Sequence, residues 1–153
     1  MTQAATPCSK TALGDKALIA AAQAARRHAH APYSGFAVGA VIQARSGRFY
    51  TGCNIENVSF GLTVCAERVA LFKALSEGER DFQAVVVATE AATPTPPCGA
   101  CRQVLWEFCG DIRIISVAAQ GATMEWSLAA LLPEAFNCHH LLSSPATPPS
   151  EAP

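Results

Sequence analysis

The sequence predicts an α/β fold in three layers, an α/β/α sandwich with helices on both faces of a mixed sheet of about five strands. Three observations carry this expectation. Helical and strand-like segments follow one another in the order α-β-β-α-β-α-β-β-α. Two short β-branched runs, QAVVVAT at 83–89 and IRIISVA at 112–118, have the continuous apolar character of strands covered on both faces. The helical stretch between them completes a strand-helix-strand unit, whose strands should pair in parallel.

Each element follows from local chemistry. DKALIAAAQAARRHA at 15–29 is alanine-rich, with Leu18, Ile19, Ala22 and Ala25 at helical intervals and Pro32 soon after. AVGAVIQA at 37–44 and RFYTGC at 48–53, joined by Arg45-Ser46-Gly47, read as a hairpin. VCAERVALFKALSE at 64–77 is a helix that stops at Gly78, and its largely apolar surface predicts a central, buried helix. After the 83–89 strand, a loop rich in proline and threonine leads to the helix CGACRQVLWEF and the 112–118 strand. Gln120-Gly121 turns the chain into a short strand around Met124 to Trp126, and Ser127 caps a last helix. These elements form one domain over residues 14–142. Residues 1–13 and 143–153 are small, polar and proline-rich, too poor in apolar surface to offset chain entropy, and are expected to be flexible.

Composition narrows the function. Net charge is −1 and the cations are scattered apart from Arg26-Arg27, so the clustered charge that neutralises phosphates is missing and no nucleic-acid partner is expected. A small neutral ligand fits better. No apolar run approaches the roughly 20 residues that span a bilayer, and the N-terminus does not read as a secretory signal, so a cytoplasmic protein without a membrane partner is expected. Seven cysteines, an odd count without such a signal, argue for metal binding or catalysis over a disulfide framework.

Three of these cysteines are placed for chemistry. Cys65 and the pair Cys98/Cys101 sit at expected helix N-termini, where unpaired N–H groups and the helix dipole favour thiolate. Cys98-Gly-Ala-Cys101 sets two sulfurs about one turn apart, a spacing that clasps a soft ion such as zinc. Three ligands would leave a fourth position open for water, the pattern of a catalytic rather than a structural site. Glu67 can lie over that position and carry protons between water and a substrate nitrogen. Arg68, one turn into the helix, can donate to thiolate sulfur and offset the charge that three thiolates put on the metal. Zinc deaminases share this pattern of a ligand, one residue, glutamate and a later Pro-Cys-x-x-Cys; here it reads Cys65-Ala66-Glu67 and Pro97-Cys98-Gly99-Ala100-Cys101.

With those residues the chain resembles the small, homotetrameric cytidine deaminases from about Asp15 to Phe136, through APYSGFAVGA, GCNIEN, CAER, SEG, PCGACRQ and LLPEAF. The resemblance implies one zinc per subunit and hydrolysis of cytidine and 2'-deoxycytidine to uridine and 2'-deoxyuridine, with release of ammonia, as in pyrimidine salvage. It implies that Phe36 packs on the pyrimidine, that Asn54 and Glu56 hold ribose hydroxyls, that the Ala66 backbone reads the ring carbonyl and that Glu67 shuttles protons. It also implies that Phe136 reaches the site of a neighbouring subunit. At Phe60 the family more often carries tyrosine, so a hydroxyl near the subunit junction is missing.

Competing readings remain at this level. Cys109 and Cys138 read as small core residues. Cys53, or one of His28, His30, His139 and His140, could close the metal site as a fourth ligand and make it structural. A thioredoxin-like redox protein also opens a helix with Cys-x-x-Cys, but leaves Cys65-Ala66-Glu67 unexplained. A deaminase of a nucleoside-like antibiotic such as blasticidin S would keep the zinc and Glu67 and differ at the sugar contacts.

Overall fold

A computed structural model describes residues 14–142; the expectations for residues 1–13 and 143–153 lie outside the described residues. Five strands, β1 (Val38–Ala44), β2 (Phe49–Cys53), β3 (Phe82–Thr89), β4 (Arg113–Val117) and β5 (Thr123–Ser127), form one sheet in the order β2-β1-β3-β4-β5. Only the β3–β4 pair is parallel, as a crossover through a helix requires, and the other three pairs are antiparallel.

Alternation along the strands separates two cores. Ala40, Ile42, Val85, Val87 and Ile114 face helices α2 (Ala66–Ser76) and α3 (Gly99–Cys109). Val41, Val86, Ala88, Ile115 and Val117 face α1 (Asp15–Arg26) through Leu18 and Ala22. The three expected layers are therefore present, with α1 packed on one face of the sheet and α2 and α3 on the other.

Two glycines allow the helices to approach the sheet closely. A Cβ on Gly39 would lie 2.1 Å from the Ala22 carbonyl oxygen of α1, and one on Gly52 would lie 2.5 Å from both the Ala66 oxygen and the Ala70 nitrogen of α2. Hydrogen replaces a methyl at the points where helix backbone meets strand backbone. Helix α2 then ends as expected at Gly78, whose φ of 90° suits a residue without a Cβ. Its last carbonyls are satisfied by Gly78 N–H to Leu75 at 3.1 Å and Glu79 N–H to Ala74 at 3.0 Å, a Schellman ending.

Several expectations need correction. Helix α1 stops at Arg26 rather than Ala29, because the chain passes into turns that bring the His30 N–H to the Asn54 carbonyl at 3.0 Å. Helix α2 is not buried all round: Ala66, Glu67, Ala70, Leu71 and Ala74 face inward, whereas Phe72 is 45% exposed. Apolar composition without a sided pattern does not tell a core face from a face left for another surface. A 3-10 turn at Phe60–Leu62 and helix α5 (Cys138–Leu142) were not legible, being too short to show a period. Cys138 is exposed on α5 and is no core residue, while Cys109 is half-buried against the α2–α3 core, where burial pushes its thiol up to about 12. Ser127 does cap the short helix α4 (Leu128–Leu131), accepting the Ala130 N–H at 3.1 Å.

Candidate active site

The site forms where α2 and α3 begin on the same face of the sheet. Cys65 is the N-cap of α2 and Cys98 the N-cap of α3, and neither thiol is spent in a capping hydrogen bond. Cys101 lies buried in the first turn of α3. The three sulfurs lie within 4.8 Å of one another, with Cys65 and Cys98 3.9 Å apart. Tetrahedral zinc with Zn–S bonds of about 2.3 Å holds its sulfurs about 3.8 Å apart, so the cluster has the donors and spacing for that ion.

The rival ligands are elsewhere. Cys53 donates its thiol to the His28 carbonyl at 3.3 Å, and neither it nor any histidine joins the cluster among the described residues. All six described cysteines are free thiols.

Charge around the sulfurs is arranged for thiolates. The Nη2 of Arg68 points to Cys65 Sγ at 3.6 Å and donates to the Thr63 carbonyl at 3.2 Å. Within the cluster, hydrogen bonding from Cys101 and then Arg68 draws the Cys65 thiol down to about 5, and the same contact raises Cys101. The Nε of Arg68 is buried and has no acceptor among the described residues. We expect Arg68→Gln to lower metal affinity or turnover roughly 10- to 100-fold, the usual cost of losing a partner of a metal ligand, as measured by chelator competition and steady-state kinetics.

Glu67 is 5% exposed and lines the cleft beside the sulfurs. Burial, aided by the nearby Cys65 charge and opposed by its own backbone N–H, pushes its carboxyl up to about 6. A carboxyl poised near neutral pH can both accept and return a proton.

The cleft has a volume of about 300 Å³, at the lower end for small-molecule sites, and Phe36, Asn54, Glu56 and Ala66 line it with Glu67, Cys65 and Cys98. Asn54 is buried and acts as a strut: its Oδ1 accepts from Val38 N–H and its Nδ2 donates to the Phe36 carbonyl, both at 2.8 Å. One Nδ2 hydrogen remains for a ligand. Glu56 Oε2 accepts from the Tyr33 and Ser34 N–H groups at 2.8 and 3.2 Å, and Oε1 accepts from the Ser34 hydroxyl. The Ser34 hydroxyl contact leads the effects that hold the Glu56 carboxyl below its ordinary range.

Phe136 is absent from the cleft lining of its own chain. It is 55% exposed, its carbonyl accepts from Gln103 Nε2 at 2.7 Å, and its ring stacks on His140. Residues that sequence reasoning passed over also line the cleft: Ser34, Thr63, Thr89, Thr95 and Pro96. Ser34 sits in the APYSGFAVGA fragment, two residues before Phe36. Thr89 and Thr95 carry no such signal, because the end of the central strand β3 and a proline-rich loop bring them together.

Comparison with known proteins bears on this geometry. Residues 13–118 match the family described as the cytidine and deoxycytidylate deaminase zinc-binding region. The chain is 48% identical over 121 residues to a cytidine deaminase of Sporosarcina psychrophila, covering 78% of this chain and 89% of that protein. It is 48% identical over 125 residues to one of Halalkalibacterium halodurans, covering 81% and 95%. The solved cytidine deaminase of Burkholderia pseudomallei superposes with a TM-score of 0.76 at 48% identity, over 79% of this chain and 98% of that one.

Proposed function

The chain belongs to the cytidine and deoxycytidylate deaminase family, and on that premise we propose that it removes the amino group of cytidine and 2'-deoxycytidine by hydrolysis, giving uridine or 2'-deoxyuridine and ammonia. The observation that carries this reading is a buried carboxyl, Glu67, set beside three thiols in a cleft sized for a small molecule. Among the described residues no lysine or arginine lines that cleft, whereas Glu56 and Glu67 do. A 5'-phosphate would meet carboxylate and no cation, which favours a nucleoside over a nucleotide.

Cys65, Cys98 and Cys101 would hold one zinc ion per subunit. Bound there, zinc supplies a water of lowered pKa at neutral pH. Glu67 takes a proton from the attacking water on a carboxylate oxygen and passes it to the ring nitrogen next to the amino-bearing carbon. It then delivers the second proton of that water to the departing amine. Water is consumed and ammonia released, so atoms and charge balance. Phe36 offers a ring face to the pyrimidine, and the Ala66 backbone N–H, at the start of α2, faces the ring carbonyl. Glu56, with acceptor capacity beyond its loop contacts, and the spare N–H of Asn54 take the ribose hydroxyls.

The assembly we propose is a homotetramer with shared sites. Val58, Phe60 and Leu62, in the segment between the cleft residues Glu56 and Thr63, are 76%, 72% and 68% exposed, and the outward Phe136 is available to a neighbouring subunit. Such a run of exposed apolar side chains favours association. The proposed setting is the cytoplasm and pyrimidine salvage; no described helix is long and apolar enough to cross a membrane.

Conversion of cytidine to uridine, followed by ultraviolet absorbance, tests the reaction. We expect turnover to vanish on chelation and return with added zinc. Tight zinc binding without conversion of cytidine or deoxycytidine would sink the substrate assignment. Sedimentation tests the assembly: a fully active monomer would end the shared-site reading.

A further inference from the structure

The loop between β3 and α3 reads Pro94-Thr95-Pro96-Pro97 immediately before Cys98. Proline has no backbone N–H, so this segment offers one amide donor and four carbonyl acceptors. Its place in the fold therefore depends on donors brought to its carbonyls, and two side chains provide them. The hydroxyl of Ser116 donates to the Thr95 carbonyl. Arg102 donates from Nε to the Pro97 carbonyl at 2.7 Å and from Nη1 to the Leu131 carbonyl at 2.9 Å.

Neither residue lines the cleft; both act from behind it. Ser116 is fully buried on β4, the one polar residue in Ile114-Ile115-Ser116-Val117, opposite Val87 in the sheet register. Val87, Thr95 and Pro96 all line the cleft, so the Ser116 hydroxyl anchors the wall that a pyrimidine would meet. Arg102 is half-buried on α3 and grips the carbonyl of the residue before Cys98, one position after Cys101 on its own helix. It ties the two ends of the Cys98–Cys101 clasp to each other.

We propose that Ser116 and Arg102 are positioning residues which clamp the proline-rich segment from its two ends, Ser116 setting the Thr95–Pro96 wall and Arg102 setting Cys98 relative to Cys101. The proposal rests on the zinc and cytidine reading above. A polar residue in an apolar strand and an arginine turned inward are then explained by one requirement, a loop that cannot donate for itself.

Three variants test it: Ser116→Ala, Arg102→Lys and, as control, Ser127→Ala, which loses a side-chain-to-backbone hydrogen bond remote from the loop, one the exposed Ser127 hydroxyl accepts at the start of α4. Zinc affinity is read by competition with a chromophoric chelator, sulfur-to-metal geometry by the charge-transfer absorption of cobalt-substituted protein, and KM and kcat on cytidine well below the melting temperature. Ser116→Ala should raise KM about 10-fold with zinc affinity and the cobalt band unchanged. Arg102→Lys should weaken zinc binding about 10-fold and shift the cobalt band. Ser127→Ala should change melting temperature alone. A variant that behaves like the control removes its residue from the clamp, and if both do so the proposal is overturned. Should Arg102→Lys fail to fold, unchanged KM in Ser116→Ala would overturn it. Wild-type protein that binds zinc but spares cytidine would overturn the proposed reaction and with it the Ser116 wall, while the chelator and cobalt readings of Arg102→Lys still decide the setting of Cys98 relative to Cys101.

Discussion

Glu67→Gln should abolish turnover while leaving the protein folded and its metal in place. Gln has the size and shape of Glu but cannot take a proton, and general acid–base catalysis contributes about 10²- to 10⁴-fold per positioned group. Glu67 is asked to serve two transfers in succession, so a fall of about 10⁴-fold is expected, roughly 5 kcal/mol of transition-state stabilisation. The three-sulfur cluster that would hold the metal does not include it, so zinc content should match wild type. Uncharged Gln at a position that is 5% exposed also removes the cost of burying a carboxylate, so the melting temperature should hold or rise. Near-normal deamination by a zinc-loaded Glu67→Gln protein would place the proton shuttle elsewhere.

Gly52→Ala should damage stability and activity together. The new Cβ would sit 2.5 Å from the Ala66 oxygen and the Ala70 nitrogen and 3.0 Å from the Val69 Cβ. Two of these are backbone atoms of α2 and cannot rotate aside, so the helix must move off the sheet. Overpacking of this kind costs about 1–3 kcal/mol, and the rigid neighbours put this case at the upper end. Urea unfolding measures that loss. The same helix carries Ala66 and Glu67 and is capped by Cys65, so its displacement should also reduce turnover of the folded fraction by about 10²-fold, the cost of misplacing reacting groups by around 1 Å. Gly39→Ala meets α1 instead, which contributes no residue to the cleft lining, so stability should fall with less effect on turnover. Equal loss of activity in the two variants would argue that α2 has no special coupling to the site.

The order of helices and strands, the parallel β3–β4 pair, the Schellman stop at Gly78 and the Ser127 cap were legible because each depends on neighbours within a few residues. So were the thiols and Glu67. Their helix N-terminal positions and the Cys98–Cys101 spacing are local properties, and they single out the residues that the structure gathers into one cluster able to hold a metal. What the tertiary structure decided depends on contacts between residues far apart in the chain. It brought Cys65 to 3.9 Å from Cys98, turned Cys53 away to His28, and made Asn54 a strut for Phe36 and Val38 as well as a cleft residue. It left Phe72 and Phe136 facing outward, which composition could not distinguish from core. It also placed Ser116 and Arg102 at carbonyls that a proline-rich segment cannot satisfy from within. Local periodicity and capping record how a segment folds against itself. Which donor meets which acceptor across the fold is settled only when helices, sheet and loops pack together.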